Sequence, residues 1–176
     1  RGFSYLYAFS CFLIGAGSFF YHASLSFVGQ WFDVMGMYLT VTFFILYNLQ
    51  RLRKWKPPTF YLFYFGLNIC LGYLLYAQPL MRRYLFAISL AILIFSIIFT
   101  QLKLKTFINN KHIYAAIISF ILGITIWILD LTKIVCAPHS LVQGHAFWHL
   151  FTALASLFIY LYYRSEKEVS STIDNN

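Results

Sequence analysis

Six runs of apolar residues, near 3–24, 27–50, 59–77, 84–101, 113–130 and 144–163, take up almost all of this 176-residue chain. Each is about long enough to cross the ~30 Å of a bilayer's hydrocarbon as a helix. Short polar, glycine- or proline-bearing segments separate them: Ser26 to Gly29, Arg51 to Pro58, Gln78 to Arg83, Lys103 to His112, and Lys133 to Gly144. In hydrocarbon every backbone N–H and C=O must find its partner within the protein, which leaves little choice but helices for runs of this length. The expected fold class is therefore all-α, a polytopic transmembrane helical bundle with six spans. Residues 1–164 form the membrane domain, and the polar residues 165–176 are expected to form a disordered tail.

Charge orients the bundle. Only 10% of residues are charged, against 61% hydrophobic and 22% aromatic, so each charge carries information. Ten of the thirteen Lys and Arg fall on one side: Arg1, the loop from Arg51 to Lys56, Lys103, Lys105, Lys111, Arg164 and Lys167. Arg82, Arg83 and Lys133 lie on the other. The richer side, with the C-terminus, is assigned to the cytoplasm. Because the basic residues lie in loops between spans, the net charge of +8 reflects topology and excludes a nucleic-acid partner. No protein partner is evident either. A bacterial inner membrane and a eukaryotic endomembrane both satisfy this orientation. The chain opens on Arg1 rather than methionine, so one further helix is expected upstream, making seven spans in all.

Polar residues inside the spans are few, and they fall in one layer. Of five acidic residues, only Asp33 and Asp130 precede position 165. Span one, running outward, carries Ser18 and His22 near its outer end; span two begins outside with Asp33 in its first turns. Span five ends outside at Asp130, and span six begins there with His145 and His149. Buried ionisable groups in a membrane are costly and mark function. A lone histidine at a helix end is commonly an interfacial residue, and His112 and His139 fit that reading. His145 and His149 differ, because residues four apart share a helix face and both rings can reach one ion. With His22 as third nitrogen, the set leaves a fourth tetrahedral position for water, the pattern of catalytic zinc.

The remaining candidates have two readings each. Ser18 either bonds the carbonyl four residues back or presents its hydroxyl to the reacting group. Asp33 is either protonated in its burial or, beside a metal ion, ionised and able to shuttle a proton. Asp130 either orients a ligand histidine or simply reaches water at its helix end. Trp148 reads as a packing or interfacial aromatic. Cys11 and Cys70 read as small buried residues, and Cys136 as an outer-end thiol able to pair with an upstream cysteine. Gly15 and Gly17 suit a close helix approach beside Ser18. Two other classes remain open at this point: a lipid receptor or transporter with structural zinc, and a haem protein ligated by His22 and His149.

The segment Gly15-Ala-Gly-Ser-Phe-Phe-Tyr-His22, with Leu25, Gln30 and Asp33, resembles the first signature of the alkaline ceramidases. Trp127-Ile-Leu-Asp130 with Cys136, and Gly144-His-Ala-Phe-Trp-His149, resemble two later signatures, in the right order over about residues 15–164. Val34 and Gly36 depart from it, standing where those enzymes usually carry an acid and a proline. The family belongs to a superfamily of membrane hydrolases that includes adiponectin-type receptors and GPI-remodelling lipid hydrolases. The resemblance implies a seven-helix bundle holding Zn2+ on His22, His145 and His149, with Ser18 and Asp33 beside the attacking water. It further implies hydrolysis of ceramide-like N-acyl sphingoid lipids to a fatty acid and a sphingoid base, with the bilayer lipid as substrate partner. A phospholipid acyl ester is the alternative bond.

Overall fold

The structure is a computed structural model that describes residues 2–104, 108–134 and 143–173, with side chains as far as Glu166. Six helices follow in order: α1 Gly2–Ser24, α2 Phe27–Arg53, α3 Pro57–Ala77, α4 Arg82–Leu104, α5 Asn110–Leu131 and α6 Gly144–Ile173. A single 3-10 turn, Pro79–Met81, precedes α4. Among the described residues there is no strand, and all six helices are long and apolar enough to cross a membrane. Every expected span is thus present, with ends within a few residues except at the C-terminus of α6. α6 is helical as far as Ile173, and no glycine or proline follows Gly144 to stop it. Cys136 and His139 lie outside the described residues.

The chain divides into two compact units, residues 1–105 and 106–176. In the first unit α2 is central. Of its membrane-crossing window 61% is buried, against 22%, 28% and 17% for α1, α3 and α4. Local chemistry sets its ends. Leu25 takes a left-handed conformation (φ 49°) between α1 and α2, and the Ser26 hydroxyl caps α2 by accepting from Gly29 N–H at 3.1 Å. Lys54, also left-handed, ends α2 with its N–H on the Gln50 carbonyl, and the Pro57-Pro58 pair starts α3, where missing N–H groups cost nothing.

Lipid is as apolar as leucine, so helices in a membrane are held by close packing and by hydrogen bonds between them. α2 uses both. Asn68 Nδ2 on α3 donates to Thr42 Oγ1 at 2.8 Å, and Trp31 Nε1 donates to the Gly72 carbonyl at 3.0 Å. On the α4 side Asn48 Nδ2 donates to Ser96 Oγ at 2.9 Å and the Tyr38 hydroxyl to the Arg82 carbonyl at 2.9 Å. Met35, Tyr38, Leu71 and Leu75 fill the space between, with Leu85 and Phe86 of α4 packed on them. Cys11 is half-buried on α1, but Cys70 is exposed on α3, contrary to the reading of both cysteines as buried.

The second unit is an antiparallel pair. Its contacts run in register from one end to the other: Asn109 N–H donates to Ser165 Oγ at 3.2 Å, Gly123 meets Phe151, and Asp130 meets Gly144. Trp148 of α6 lies against Phe120 and Trp127 of α5, with ring centroids 5.9 Å apart in both cases.

Candidate functional site

The unusual polar residues of the first unit meet where α1 crosses α2. Three glycines bring the two backbones together. A Cβ at Gly17 would fall 2.7 Å from the Phe32 carbonyl oxygen and 2.9 Å from Asp33 N. One at Gly36 would fall 2.7 Å from Ile14 Cα, and one at Gly29 2.8 Å from Tyr21 Cα. Only glycine permits such approach. Gly15 has nothing within 4 Å of that position and takes no part in the crossing, which corrects the expectation that both Gly15 and Gly17 pack. In the sequence Gly29 reads as loop punctuation and Gly36 as a departure from the signature, which misses their packing role, although a spacing of seven places them on one helix face.

The crossing sets the surroundings of the candidate residues. Asp33, half-buried in the second turn of α2, has its backbone N–H against Gly17, one residue from Ser18. Ser18 is buried, and His22 is exposed one turn further along α1 beside Tyr21. Tyr21 itself is tied to α2 by its hydroxyl, which accepts from Gln30 Nε2 at 3.1 Å. Several helical serines here donate to a carbonyl three or four residues back, among them Ser10, Ser89 and Ser156. Among the described residues Ser18 makes no such bond, so its hydroxyl remains available.

In the second unit Asp130 occupies the last turn of α5, and His145 and His149 the first two turns of α6. All three are half-buried. The two imidazoles stand 4.7 Å apart, centroid to centroid, with their planes at 87°. Two imidazoles bound to one tetrahedral zinc at about 2.0–2.1 Å have centroids roughly 5 Å apart, so this pair fits an ion shared between its rings. Asp130 lies against Gly144, and Trp148 packs on α5.

An apolar cavity of about 670 Å³ opens between α2 and α3, lined by Trp31, Met35, Leu39, Ile69, Gly72 and Tyr73 among others. Residues two away on a helix point to nearly opposite faces, so Trp31 and Met35 turn this cavity away from Asp33. It is not a part of the candidate site.

Comparison with known proteins bears on the whole chain. A curated Dictyostelium discoideum protein named "Putative alkaline ceramidase dcd3B" is 27% identical over 182 aligned residues, which cover 89% of this chain. The chain spans about 60% of that relative's length. No solved structure matches. The family model described as Ceramidase matches residues 2–173, through all six helices. The chain belongs to the ceramidase family.

Proposed function

We propose that this protein is an intramembrane zinc-dependent amide hydrolase, cleaving ceramide-like N-acyl sphingoid lipids to a free fatty acid and a sphingoid base. Family membership supports the substrate class. The perpendicular His145–His149 pair is the observation that carries the metal, and His22 is proposed as its third ligand. Neutral imidazoles are the donors expected of a catalytic zinc ion that keeps one position open. Bound zinc supplies a Lewis acid that polarises the amide carbonyl and acidifies water.

The chain's own residues then have separate tasks. Asp33 accepts the proton of the attacking water and delivers it to the amide nitrogen as the C–N bond breaks. The amine therefore leaves neutral, and the acyl carbon keeps the water oxygen as a carboxylic acid. Ser18, whose hydroxyl is spared from helix hydrogen bonding, donates to the oxyanion that develops on the carbonyl oxygen. The apolar helix faces around these groups exclude bulk water, which strengthens both interactions. Charge bias supports a cytoplasmic C-terminus and a site toward the opposite face of a bacterial inner membrane or a eukaryotic endomembrane.

The test uses detergent-purified full-length protein, with metal content and fatty-acid release from long-chain ceramides measured side by side. We expect about one zinc per chain, and loss of both zinc and turnover in His149→Ala. Turnover on phospholipids but not on ceramides would move the assignment to an acyl-ester hydrolase. Zinc without turnover on either would leave a receptor, and a chain without zinc would sink the proposal.

A further inference from the structure

We infer that Asp130 is a positioning residue: pressed against Gly144, it fixes the start of α6 and thereby the aim of the His145–His149 pair. This rests on the zinc reading given above.

Four observations within the α5–α6 unit carry it. First, the backbone around Asp130 is locked. Lys133 is left-handed (φ 60°), its N–H donates to the Asp130 carbonyl at 3.0 Å, and Ile134 N–H donates to the Leu129 carbonyl at 3.0 Å. These paired bonds close the C-terminus of α5, so the Asp130 side chain projects from a fixed point. Second, α6 begins in contact with that side chain. A Cβ at Gly144 would lie 2.8 Å from Asp130 Cβ, 3.1 Å from Cγ and 3.2 Å from Oδ1. No residue but glycine fits there without displacing one of the two helices.

Third, the carboxylate stands at the first turn of α6, where N–H groups lack partners within their own helix and the helix dipole favours negative charge. Fourth, a second contact removes the remaining freedom of rotation. One turn further along, Trp148 meets the site of Gly123 (a Cβ there would lie 3.4 Å from Cε3) and packs its ring edge-on to Phe120 and tilted against Trp127.

Gly144 and Trp148 are each one residue before a histidine. Successive helical residues are about 100° apart, so seating 144 and 148 on α5 turns 145 and 149 a quarter-turn from the seam. Two contacts on α5 thus decide where both imidazoles point. Asp130 is the polar one of the two, at the end nearer His145.

The experiment uses the full-length purified protein as wild type, Asp130→Ala, Asp130→Asn and Gly144→Ala. Zinc affinity is read by chelator competition, cobalt(II) substituted for zinc reports coordination through its visible spectrum, and melting of the metal-free proteins reports stability. We expect Asp130→Ala and Gly144→Ala to lose about 10–100-fold in zinc affinity, the range for residues that orient metal ligands. The cobalt spectrum should change with them, while metal-free melting stays near wild type. Asp130→Asn keeps the shape and an accepting oxygen, and should retain affinity within about threefold. Wild-type affinity and an unchanged cobalt spectrum in Asp130→Ala and Gly144→Ala would overturn the inference. So would affinity losses matched by equal losses of metal-free stability, with Asp130→Asn no better than Asp130→Ala. A wild type that binds no zinc would instead overturn the zinc reading, and this inference with it.

Discussion

Gly17→Ala is the substitution that most directly tests the crossing of α1 and α2. The added methyl would sit 2.7 Å from the Phe32 carbonyl oxygen and 2.9 Å from Asp33 N, both backbone atoms that no rotamer change can move. Ordinary contact needs about 3.5 Å, so the helices must part by roughly 0.8 Å. That displacement falls between Asp33 on one side and Ser18 and His22 on the other. Misplacing reacting groups by ~1 Å can cost about 10²-fold in rate, so kcat/KM for ceramide hydrolysis should fall about 10–100-fold. In free energy this is roughly 1.4–2.7 kcal/mol of transition-state stabilisation. Overpacking of this kind costs about 1–3 kcal/mol of stability, and the better helix propensity of alanine returns about 1 kcal/mol of it. The protein should therefore fold and remain assayable. Gly15→Ala is the internal control: the same methyl, two residues earlier on the same helix, meets nothing within 4 Å. It should leave hydrolysis unchanged and slightly raise stability. Wild-type activity in Gly17→Ala, or an equal loss in Gly15→Ala, would refute the argument that this crossing sets the geometry.

Three further outcomes are expected. Asp33→Asn should retain zinc by elemental analysis yet hydrolyse ceramide about 10²–10⁴-fold more slowly, since it removes the proposed proton carrier and not a proposed ligand. Stripping metal with a membrane-impermeant chelator should abolish fatty-acid release, and zinc should restore it; release that survives complete metal removal would contradict the mechanism. Asn68→Leu removes the bond from Asn68 to Thr42 between α2 and α3 and should lower stability by about 1 kcal/mol, read by denaturant titration in detergent, with zinc content unchanged.

The six helices were legible because each is a run of apolar residues closed by glycine, proline or basic punctuation, and the bilayer admits little else. Their ends were legible less well. α2 runs three residues past the expected 50, because Lys54 accepts a left-handed conformation and no glycine marks the stop. α6 continues past 163 into the polar segment that follows, whose glutamate and lysine favour helix. The polar candidates Ser18, His22, Asp33, His145 and His149 stood out for the same reason as the spans: a bilayer makes each such residue conspicuous. What the sequence hid was the packing partner. Gly15 and Gly17 look alike on paper, yet one faces open space and the other a neighbouring backbone. Asp130 was visible, but its contact with Gly144 depends on how two helices meet.

The helix contacts of this protein divide by chemistry, and the division follows the candidate site. α3 and α4 are tied to α2 by side-chain hydrogen bonds: Asn68 to Thr42, Trp31 to the Gly72 carbonyl, Asn48 to Ser96, Tyr38 to the Arg82 carbonyl. The two contacts that carry candidate site residues, α1 on α2 and α5 on α6, close chiefly on glycine: Gly17, Gly29 and Gly36 in the first, Gly123 and Gly144 in the second. A physical reason follows from the membrane. With no hydrophobic force between helices, association must come from hydrogen bonds or from backbone approach. Hydrogen bonds occupy the donors and acceptors of polar side chains, whereas a glycine contact occupies none. Helices that carry the proposed serine, aspartate and histidines are better joined by glycine, because the contact itself uses none of their donors or acceptors. The consequence separates two classes of variant. Removing a scaffold bond, as in Asn68→Leu or Asn48→Leu, should lower stability with little change in zinc affinity or in the activity of the folded fraction. Adding a methyl at Gly17 or Gly144 should do the reverse. If the scaffold variants lost zinc as readily as the glycine variants at equal stability, the division would have no functional meaning.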